Sequence, residues 1–489
     1  MEFLSDTLKY IGIIFMVLMV FNLMILVHEW GHFLAARWRG LKVEKFQIWF
    51  GSPIWKKTYN GVQYGLGWIP AGGFVALPQM APMDAIEGGN ENREVLPPIS
   101  PLDKIIVAFA GPLFSFMLAC CFAVIVWQVG KPEQETNATT TIGYVRKDTP
   151  ADRAGLKPGD VILSIDDQPV HRFNGLVDSI KWLIIASQGE FIQFKVDRPG
   201  EGEKLIAVKA EKAKPAEESW WKKIFRRPEL RSAGISGKYT PLVDSVEPYS
   251  PALDAGIKTG DIFLTANGLQ ILHPIVFDEL ADANAGKAVA LEVERDGKKV
   301  SLTLTPRLPD QRPAEWKSAL SGVNWASPEE IVHPKPWSQI RDALRTMRET
   351  IAAITSAKSD LGVSHLSGPV GIVHVYTSFF ENEQWWRLIF WFSVVLNVNL
   401  AVMNMLPFPV LDGGHITMAL YEWVRRRPIN IRILEVVQTA CVLVLLSFMA
   451  FVTLKDTGDW AGRSKREALP QIELKFLPPA ERPVAAPAN

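Results

Sequence analysis

The chain has 489 residues, of which 48% are hydrophobic, and its 52 Lys and Arg residues balance its 52 Asp and Glu residues. This length accommodates about three ordinary domains. The neutral balance gives no indication of a nucleic-acid partner. The three cysteines Cys120, Cys121 and Cys441 lie inside apolar runs, which excludes a disulfide framework outside the cytoplasm.

Four apolar runs are long enough to cross a bilayer, which takes about 20 residues each. They cover roughly residues 8–37, 105–129, 388–411 and 436–454. The first run lacks the basic start and the small-residue cleavage site of a removable signal peptide, so we expect it to be retained. The sequence therefore predicts an α-helical polytopic membrane protein with about four transmembrane helices.

The first run leads directly into His28-Glu29-Trp30-Gly31-His32. On a helix, positions i and i+4 share a face, so both imidazoles can reach one ion. Glu29 can reach a water at that ion and act as a general base. Zinc suits this set, because a catalytic zinc takes three protein ligands and leaves a fourth position open. The alternative is a chance cluster at a helix end, but ionisable residues inside a membrane are costly and usually functional.

A third ligand is expected from residues 404–415, which read NMLPFPVLDGGH. Pro407 and Pro409 remove backbone donors and bend the helix. Irregular backbone at membrane depth is tolerated only where it is buried or lines a wet cavity. An acidic residue at that depth needs a strong partner, so we interpret Asp412 as the third ligand. On chemistry alone, His415 remains a competitor for this position.

The two motifs together resemble those of the site-2 protease family of intramembrane zinc metalloproteases. The resemblance is to the bacterial inner-membrane, regulator-of-sigma-E type with tandem PDZ domains, and it covers nearly the whole chain. It implies that His28, His32 and Asp412 bind Zn2+ and that Glu29 is the catalytic base.

The same resemblance implies a function. The protein would be an endopeptidase that cuts within or next to the transmembrane segment of single-span proteins, such as anti-sigma factors in an envelope stress response. Another protease would make the first cut, and remnant signal peptides form a further substrate class. Asn404, Pro407 and Pro409 would position the substrate without binding metal. The lipid bilayer is the remaining partner, and no nucleic acid is expected.

Basic residues predict the orientation of the chain in the membrane. They follow the first span and precede the fourth, at Arg37, Arg39, Lys42, Lys45, Lys56, Lys57, Arg425, Arg426, Arg427 and Arg432. Both loops are therefore expected in the cytoplasm, with the long middle region facing the periplasm. The active site is expected toward the cytoplasmic leaflet of a bacterial inner membrane.

Residues 62–77 alternate moderately in polarity and contain four glycines, including Gly72 and Gly73. One interpretation is a surface hairpin in the cytoplasm. The resemblance implies instead a re-entrant β loop that presents an edge to an extended substrate. Gly72 and Gly73 are then candidate substrate-positioning residues.

The second span contains a smaller departure from the family pattern. The family commonly has Asn a few residues after a Gly-Pro pair, whereas Ser115 stands at that place after Gly111-Pro112. A small hydroxyl can still hydrogen-bond across helices, so we interpret Ser115 as tolerated variation.

An internal repeat fills the middle region. The segment PADRAGLKPGDVI, which begins at Pro150, recurs as PALDAGIKTGDIF from Pro251. This pair resembles tandem PDZ domains in the circularly permuted bacterial form, which are α+β domains. Their grooves would bind substrate or exclude bulky substrates; the alternative is a pair of structural modules without a ligand groove.

The predicted organisation follows from these observations. It comprises a first transmembrane helix (1–38), a cytoplasmic-side region with the β loop (39–100), a second helix (101–130), two PDZ-like domains (139–231 and 232–310), an amphipathic segment (334–375), a third transmembrane segment (385–420), a fourth helix (430–455) and a disordered tail (456–489). The amphipathic segment is expected either at the membrane interface or packed on the repeats.

Two other functions remain to be weighed. One is a non-catalytic membrane scaffold whose PDZ-like domains bind peptides, and the other is a transporter. A scaffold or a structural zinc has no use for a carboxylate beside the first ligand, whereas a hydrolase needs Glu29. No inverted repeat of helices is present in the sequence, which argues against a transporter.

Overall fold

The computed structural model describes residues 2–80, 99–175, 178–212, 227–313, 316–356, 359, 361–380, 382–427, 431–467 and 474–478. The chain divides into two compact units. The first, here called the helical unit, comprises Met1–Lys131, Val332–Arg348 and Leu366–Thr457. The second, called the β-rich unit, comprises Pro132–Ile331, Glu349–His365 and Gly458–Asn489.

Four of the described helices are long and apolar enough to cross a membrane, as predicted. Their membrane-compatible parts are Ile11–Trp38, Pro101–Val129, Trp385–Asn404 and Leu434–Asp459, here called the first to fourth spans. The first and fourth belong to longer helices, Glu2–Trp38 and Ile431–Glu467. A helix satisfies its backbone hydrogen bonds internally, which suits it to a solvent without water.

The third span ends earlier than the apolar run suggests. Its helix stops at Asn404, and a new helix, Asp412–Arg425, begins after seven irregular residues. Pro407 and Pro409 lie in this break, where their missing N–H groups cannot interrupt a helical ladder. The break turns the chain so that Asp412 is the first residue of the new helix.

Residues between the first two spans form a long antiparallel hairpin of Lys45–Tyr59 and Val62–Ala76. The turn residues Asn60 and Gly61 both have positive φ, as a two-residue hairpin turn requires. The base of the hairpin packs on the first two spans in one core that includes Phe33, Phe46, Val75, Val107 and Ala108. Residues 81–98 of the predicted cytoplasmic-side region lie outside the described residues.

The predicted amphipathic segment contains the helices Pro336–Thr355 and Pro369–Phe379. In the helix Pro336–Thr355, Ile340 and Ala343 are buried against residues of the second and third spans. Gln339 also donates a hydrogen bond of 2.9 Å to the Ala123 carbonyl. This part of the helix therefore packs on the spans. Whether the rest of the segment lies at the membrane interface or on the repeats stays a prediction.

The β-rich unit contains two modules with the same order of elements, which confirms the prediction of two PDZ-like α+β domains. In the first, the strands Val161–Ile165, Gln168–Pro169, Ile192–Arg198 and Gly202–Val208 form a sheet, and the helices are Pro150–Ala154 and Ile180–Ala186. In the second, the strands are Ile262–Ala266, Leu269–Gln270, Val289–Arg295 and Lys298–Leu304, with helices Pro251–Asp254 and Pro274–Ala283.

Each module is closed by a strand that lies beyond its predicted end. Ile235–Gly237 pairs antiparallel with Ile142–Val145 in the first module. Val323–Trp325 pairs in the same way with Val243–Val246 in the second. The first module thus reaches Gly237 and not residue 231, and the second reaches Trp325 and not residue 310. The closing strands are too short for their pattern to indicate a partner far away in the sequence.

Short elements complete the unit. Glu211–Lys212 pairs with Arg231–Ser232, Lys131–Gln134 pairs with Glu329–Val332, and Glu135–Ala138 is a single helical turn.

The prediction of a disordered tail from residue 456 is wrong for the described part of that tail. The fourth helix continues to Glu467. Asp456 accepts backbone hydrogen bonds from Gly368 and Gly371, at 2.9 and 2.8 Å. Composition alone does not reveal such tertiary partners. Residues 468–473 and 479–489 of the predicted tail lie outside the described residues.

Residues 474–478, which read LKFLP, are also ordered and lie on the second module. Lys475 and Gln311 exchange two backbone hydrogen bonds, of 3.0 and 3.1 Å. Phe476 is only 5% exposed. A polar, proline-rich composition indicates a segment that forms no core of its own, but it does not exclude docking on a core formed elsewhere.

Candidate metal centre

The centre begins with two imidazoles on the first span. His28 and His32 are one helical turn apart, so their side chains leave the same face of the helix. Both are buried, and their Nε2 atoms are 3.2 Å apart. Helix geometry alone accounts for this pair, as the sequence predicts.

Asp412 completes the cluster from the other end of the chain. One carboxylate oxygen is 3.2 Å from Nε2 of His28, and the other is 3.3 Å from Nε2 of His32. Asp412 is buried at the start of its helix, where the backbone N–H groups favour a negative charge. Among the described residues, these three are the one set of His, Cys, Asp or Glu side chains whose ligand atoms lie within 4.8 Å of one another.

The donor set fits a zinc ion. Zinc binds His nitrogen and carboxylate oxygen at about 2.0–2.2 Å, so tetrahedral ligand atoms are about 3.3–3.5 Å apart. The two Nε2 atoms are 3.2 Å apart, and each has a different Asp412 oxygen at 3.2 or 3.3 Å, which is close to this spacing. Two ring nitrogens and a carboxylate converge on one point, which is stable only around positive charge. The site therefore has both the ligand types and the spacing that zinc requires.

The other nitrogen of each imidazole has its own partner. Nδ1 of His32 lies 2.8 Å from the Val107 carbonyl, which can only accept, so Nδ1 carries the proton and Nε2 presents a lone pair to the centre. Nδ1 of His28 lies 3.0 Å from the Ser115 hydroxyl. Such partners orient imidazoles that bind a metal and raise their basicity. The second span thus contacts both rings.

Gly111 allows this close approach of the second span. A Cβ at this position would lie 2.2 Å from Nε2 of His32 and 2.8 Å from Nε2 of His28. Any side chain there would occupy the centre of the cluster. The sequence contains the Gly-Pro pair, but its spatial relation to the histidines comes only from the packing of the two spans.

Glu29 and His415 line one small cavity together with His32 and Asp412. Glu29 follows His28 on the helix and faces this cavity beside the cluster. His415 is buried one turn after Asp412, yet its nitrogens are not part of the compact set. The geometry therefore favours Asp412 over His415 as the third member.

The hairpin passes directly beside Glu29. A Cβ at Gly73 would lie 3.9 Å from Cγ of Glu29, and Val75 lines the same cavity. Gly72 has a φ of +74°, and a Cβ there would overlap the Phe50 ring. Of the two glycines that the sequence singles out, Gly73 therefore lies beside Glu29, and Gly72 has a backbone conformation that favours glycine.

Of the remaining candidate residues, Asn404 lies near the cluster. The Asn404 amide nitrogen is 3.5 Å from Nε2 of His28, a distance too long for a good hydrogen bond. Pro407 and Pro409 lie in the break that follows. Ser115 is the residue whose role the sequence analysis missed, because the departure from Asn suggested tolerated variation and not a bond to His28.

A cluster of two histidines and an aspartate, a glutamate in the same cavity, and four membrane-compatible helices define a membrane-embedded metallopeptidase. The sequence model of Peptidase family M50 matches residues 16–448, and the chain belongs to this family.

Curated relatives span nearly the same length. The regulator of sigma-E protease RseP of Escherichia coli is 25% identical over 459 residues, which cover 89% of this chain and 96% of RseP. The protein of the same name from Salmonella typhimurium is 26% identical over 460 residues, with the same coverage of 89% and 96%. A solved structure, the PDZ domain of an SdrC-like protein of Listeria monocytogenes, is 16% identical and covers 17% of this chain and 85% of its own, with a TM-score of 0.16.

These matches confirm the predicted class of enzyme. The protein is a multi-pass inner-membrane protease of the site-2 type, and its family is zinc-dependent. The scaffold interpretation is not favoured. The roles of individual residues, the substrate and the orientation follow as proposals.

Proposed function

We propose that His28, His32 and Asp412 bind the zinc ion and that Glu29 is the general base of peptide hydrolysis. One observation carries the assignment: the ligand atoms of the three residues lie within 4.8 Å of one another, and Glu29 lines the same cavity. His28, Glu29 and His32 lie on the first span, and Asp412 begins the helix that follows the third span. A structural metal site would be closed by a fourth ligand, whereas a catalytic site keeps one position open.

The chemistry divides between the ion and the chain. When bound, zinc polarises the scissile carbonyl and lowers the pKa of water toward neutrality. Glu29 takes the proton from the attacking water and delivers it to the leaving amine nitrogen. The hydrogen bonds of His28 with Ser115 and of His32 with Val107 hold both Nε2 atoms toward the cavity.

The substrate is an extended peptide derived from the transmembrane segment of a single-span protein. A transmembrane helix must unwind before a protease can cut it, and a β edge is a common way of holding an extended chain. The strand Val62–Ala76 supplies such an edge, and Gly73 brings it beside Glu29, with Gly72 as the preceding residue. Asn404 is close enough to present its amide to the substrate backbone, with Pro407 and Pro409 keeping the backbone there out of a helix.

The name of the Escherichia coli relative suggests the biological context. That protein is named a regulator of sigma-E protease. We extend this to the present chain: its substrates are anti-sigma-factor-like membrane proteins, cut after a first cleavage by another protease, and remnant signal peptides. The two PDZ-like modules bind such substrates or exclude those that still carry a bulky outer domain.

The orientation rests on charge and on chain connectivity. Basic residues after the first span and before the fourth favour the cytoplasm for those loops. Residues 474–478 contact the second module, so both must lie on the same side of the membrane. Two spans separate them in sequence, which returns the chain to that side. This supports periplasmic modules and an active site toward the cytoplasmic leaflet.

The test is co-expression with candidate single-span proteins, including anti-sigma factors, followed by detection of fragments. The native protein should release them, whereas Glu29→Gln should leave the substrate uncut. Loss of a general base typically costs at least a hundredfold in rate. Zinc content should stay the same, because the three ligands are unchanged. Near-normal cleavage by Glu29→Gln would sink the assignment, and equal substrate retention without cleavage by either form would favour a scaffold.

A further inference from the structure

The C-terminal segment Leu474–Pro478 forms an ordered contact with the second module. Lys475 pairs with Gln311 through two backbone hydrogen bonds, in the antiparallel geometry of added β strands. The next bond runs from the Leu477 N–H to a carboxylate oxygen of Asp310, at 2.9 Å. The backbone of the segment is therefore held on both sides of Phe476.

Phe476 is the anchor of this contact. Its ring lies under the Arg307 guanidinium, whose carbon is 4.7 Å from the ring centre. Asp310 and the Tyr249 carbonyl hold that guanidinium in place, each at 2.7 Å. The module itself therefore holds the Arg307 guanidinium in place, and this cation stacks on the Phe476 ring.

Gly322 provides the space beside the ring. A Cβ on Gly322 would lie 3.1 Å from Cε2 of Phe476, and a φ of +80° also favours glycine there. The equivalent residue of the first module is Gly234. Its carbonyl accepts a hydrogen bond from the Arg146 N–H, as the Gly322 carbonyl does from the Glu247 N–H. In both modules the nearest side chain carries a hydroxyl group, Thr149 at Gly234 and Ser250 at Gly322. At Gly322 the next neighbour is the Phe476 ring.

Phe476 lies outside the core of the module. That core is built around Phe263 and Phe277 and packs against Trp325, and it does not include Phe476. The matched family region also ends at residue 448, before this segment begins. The segment is therefore laid on a module whose own core is complete, as a bound peptide would be.

We propose that Arg307, Asp310 and Gln311, beside Gly322, form a binding site for an extended peptide with an aromatic residue, and that residues 474–478 of the same chain occupy it. The backbone of Gln311 pairs with the residue before the aromatic ring, Asp310 accepts from the residue after it, and Arg307 covers the ring. The site is separate from the metal centre, and it does not rest on the proposed catalytic roles.

The first test is cross-linking in the full-length protein in membranes, with the three native cysteines replaced by alanine. Paired residues in an antiparallel ladder have Cα atoms about 5.5 Å apart, within reach of a disulfide. Gln311→Cys with Lys475→Cys should oxidise at least tenfold faster than the control pair Lys298→Cys with Lys475→Cys. Lys298 is exposed on the same module. Equal rates for the two pairs would overturn the proposal.

Adding Phe476→Ala to the reactive pair should slow its oxidation at least tenfold, because the anchor is lost. Lys298→Ala, which is exposed on the same module outside the site, should leave the rate unchanged. An unchanged rate with Phe476→Ala would mean that the ring does not hold the segment, which contradicts the assignment.

The second test separates a binding site from a simple tether. A labelled synthetic peptide of residues 471–480 is titrated into the full-length protein in detergent and followed by fluorescence anisotropy. A tail bound in the same chain competes at a high effective concentration. The peptide should therefore bind Phe476→Ala at least tenfold more tightly than the native protein, and a peptide with Ala in place of Phe476 should bind neither. Equal affinity for both proteins, or no binding to Phe476→Ala, would refute the site.

Discussion

Both units bury carboxylates, but with different partners. In the β-rich unit, Asp160 and Asp261 are almost fully buried, and each receives two hydrogen bonds of 2.7–2.8 Å from one arginine, Arg198 or Arg295. In the helical unit, the buried Asp412 meets two imidazoles at 3.2 and 3.3 Å.

The difference fits the proposed roles, which are structural for Asp160 and Asp261 and metal-binding for Asp412. A bidentate arginine neutralises a carboxylate and satisfies its lone pairs, so the pair is complete. Both modules repeat that arrangement, including a bond from the arginine to a glycine carbonyl at 2.8 Å. Ring nitrogens that share a carboxylate and face one another still need a cation between them. The partner of a buried carboxylate therefore indicates its role better than its burial does.

The largest expected effect comes from removing the carboxylate of the metal centre. Asp412→Ala should reduce zinc from about one ion per chain to a small fraction of that, because two histidines alone leave two tetrahedral positions open. Metal analysis of the purified protein measures this, and peptidase activity should fall with it. His415→Ala is the matched control and should keep its zinc. The opposite pattern would make His415 the third ligand.

The corresponding change in the β-rich unit should affect stability and not metal. Asp261→Asn leaves Arg295 without its counter-charge, and breaking a buried pair costs about 3–5 kcal/mol. The measurement is the unfolding of the module within the full-length protein, followed by limited proteolysis. Asp160→Asn should behave alike in the first module, because its contacts are the same. Zinc loss in either variant would contradict the comparison.

A smaller effect is expected next to the metal centre. Asn404→Ala should slow cleavage about tenfold, the effect of one lost substrate hydrogen bond to a positioned group, about 1.4 kcal/mol. Zinc content should not change, because the Asn404 amide nitrogen is 3.5 Å from Nε2 of His28, too far for a good hydrogen bond to that ring. Pro407→Ala and Pro409→Ala should likewise impair cleavage with zinc retained. Loss of zinc in Asn404→Ala would assign that amide to the metal site.

The smallest effect is a pH dependence of the second module. Burial alone raises the pKa of Asp261, but hydrogen bonds from Arg295 and from the Lys258 N–H outweigh it, so the pKa lies below its ordinary 3.8. A carboxylate with a depressed pKa stabilises the folded module at pH values above its unfolded-state pKa. This stabilisation is lost as the pH falls through the folded-state pKa. The module should therefore lose stability below about pH 4. Asp261→Asn should remove this part of the dependence, and an unchanged acid profile would contradict it.

Much of the organisation could be predicted from the sequence because it depends on local spacing. Hydropathy identifies the spans, since a bilayer requires a long apolar helix. The interval of four residues between His28 and His32 puts both rings on one face. The repeated segments from Pro150 and Pro251 identify two related modules, since each copy carries the same turn and strand.

Other features involve pairs of residues that local pattern does not connect. On chemistry alone His415 competes with Asp412, the residue that the sequence favours, and the structure brings Asp412 to the imidazoles through the break after Asn404. Ser115 is an ordinary serine of an apolar helix until the two spans pack and its hydroxyl meets His28.

The chain by itself determined the spans, the histidine pair and the repeat, because each is encoded within one helix or one short segment. The tertiary structure decided the third member of the metal centre, the closing strand of each module and the docking of Phe476. In these cases, the partners are separated by tens to hundreds of residues. Their contacts depend on how whole elements pack, and no periodicity within either partner records that.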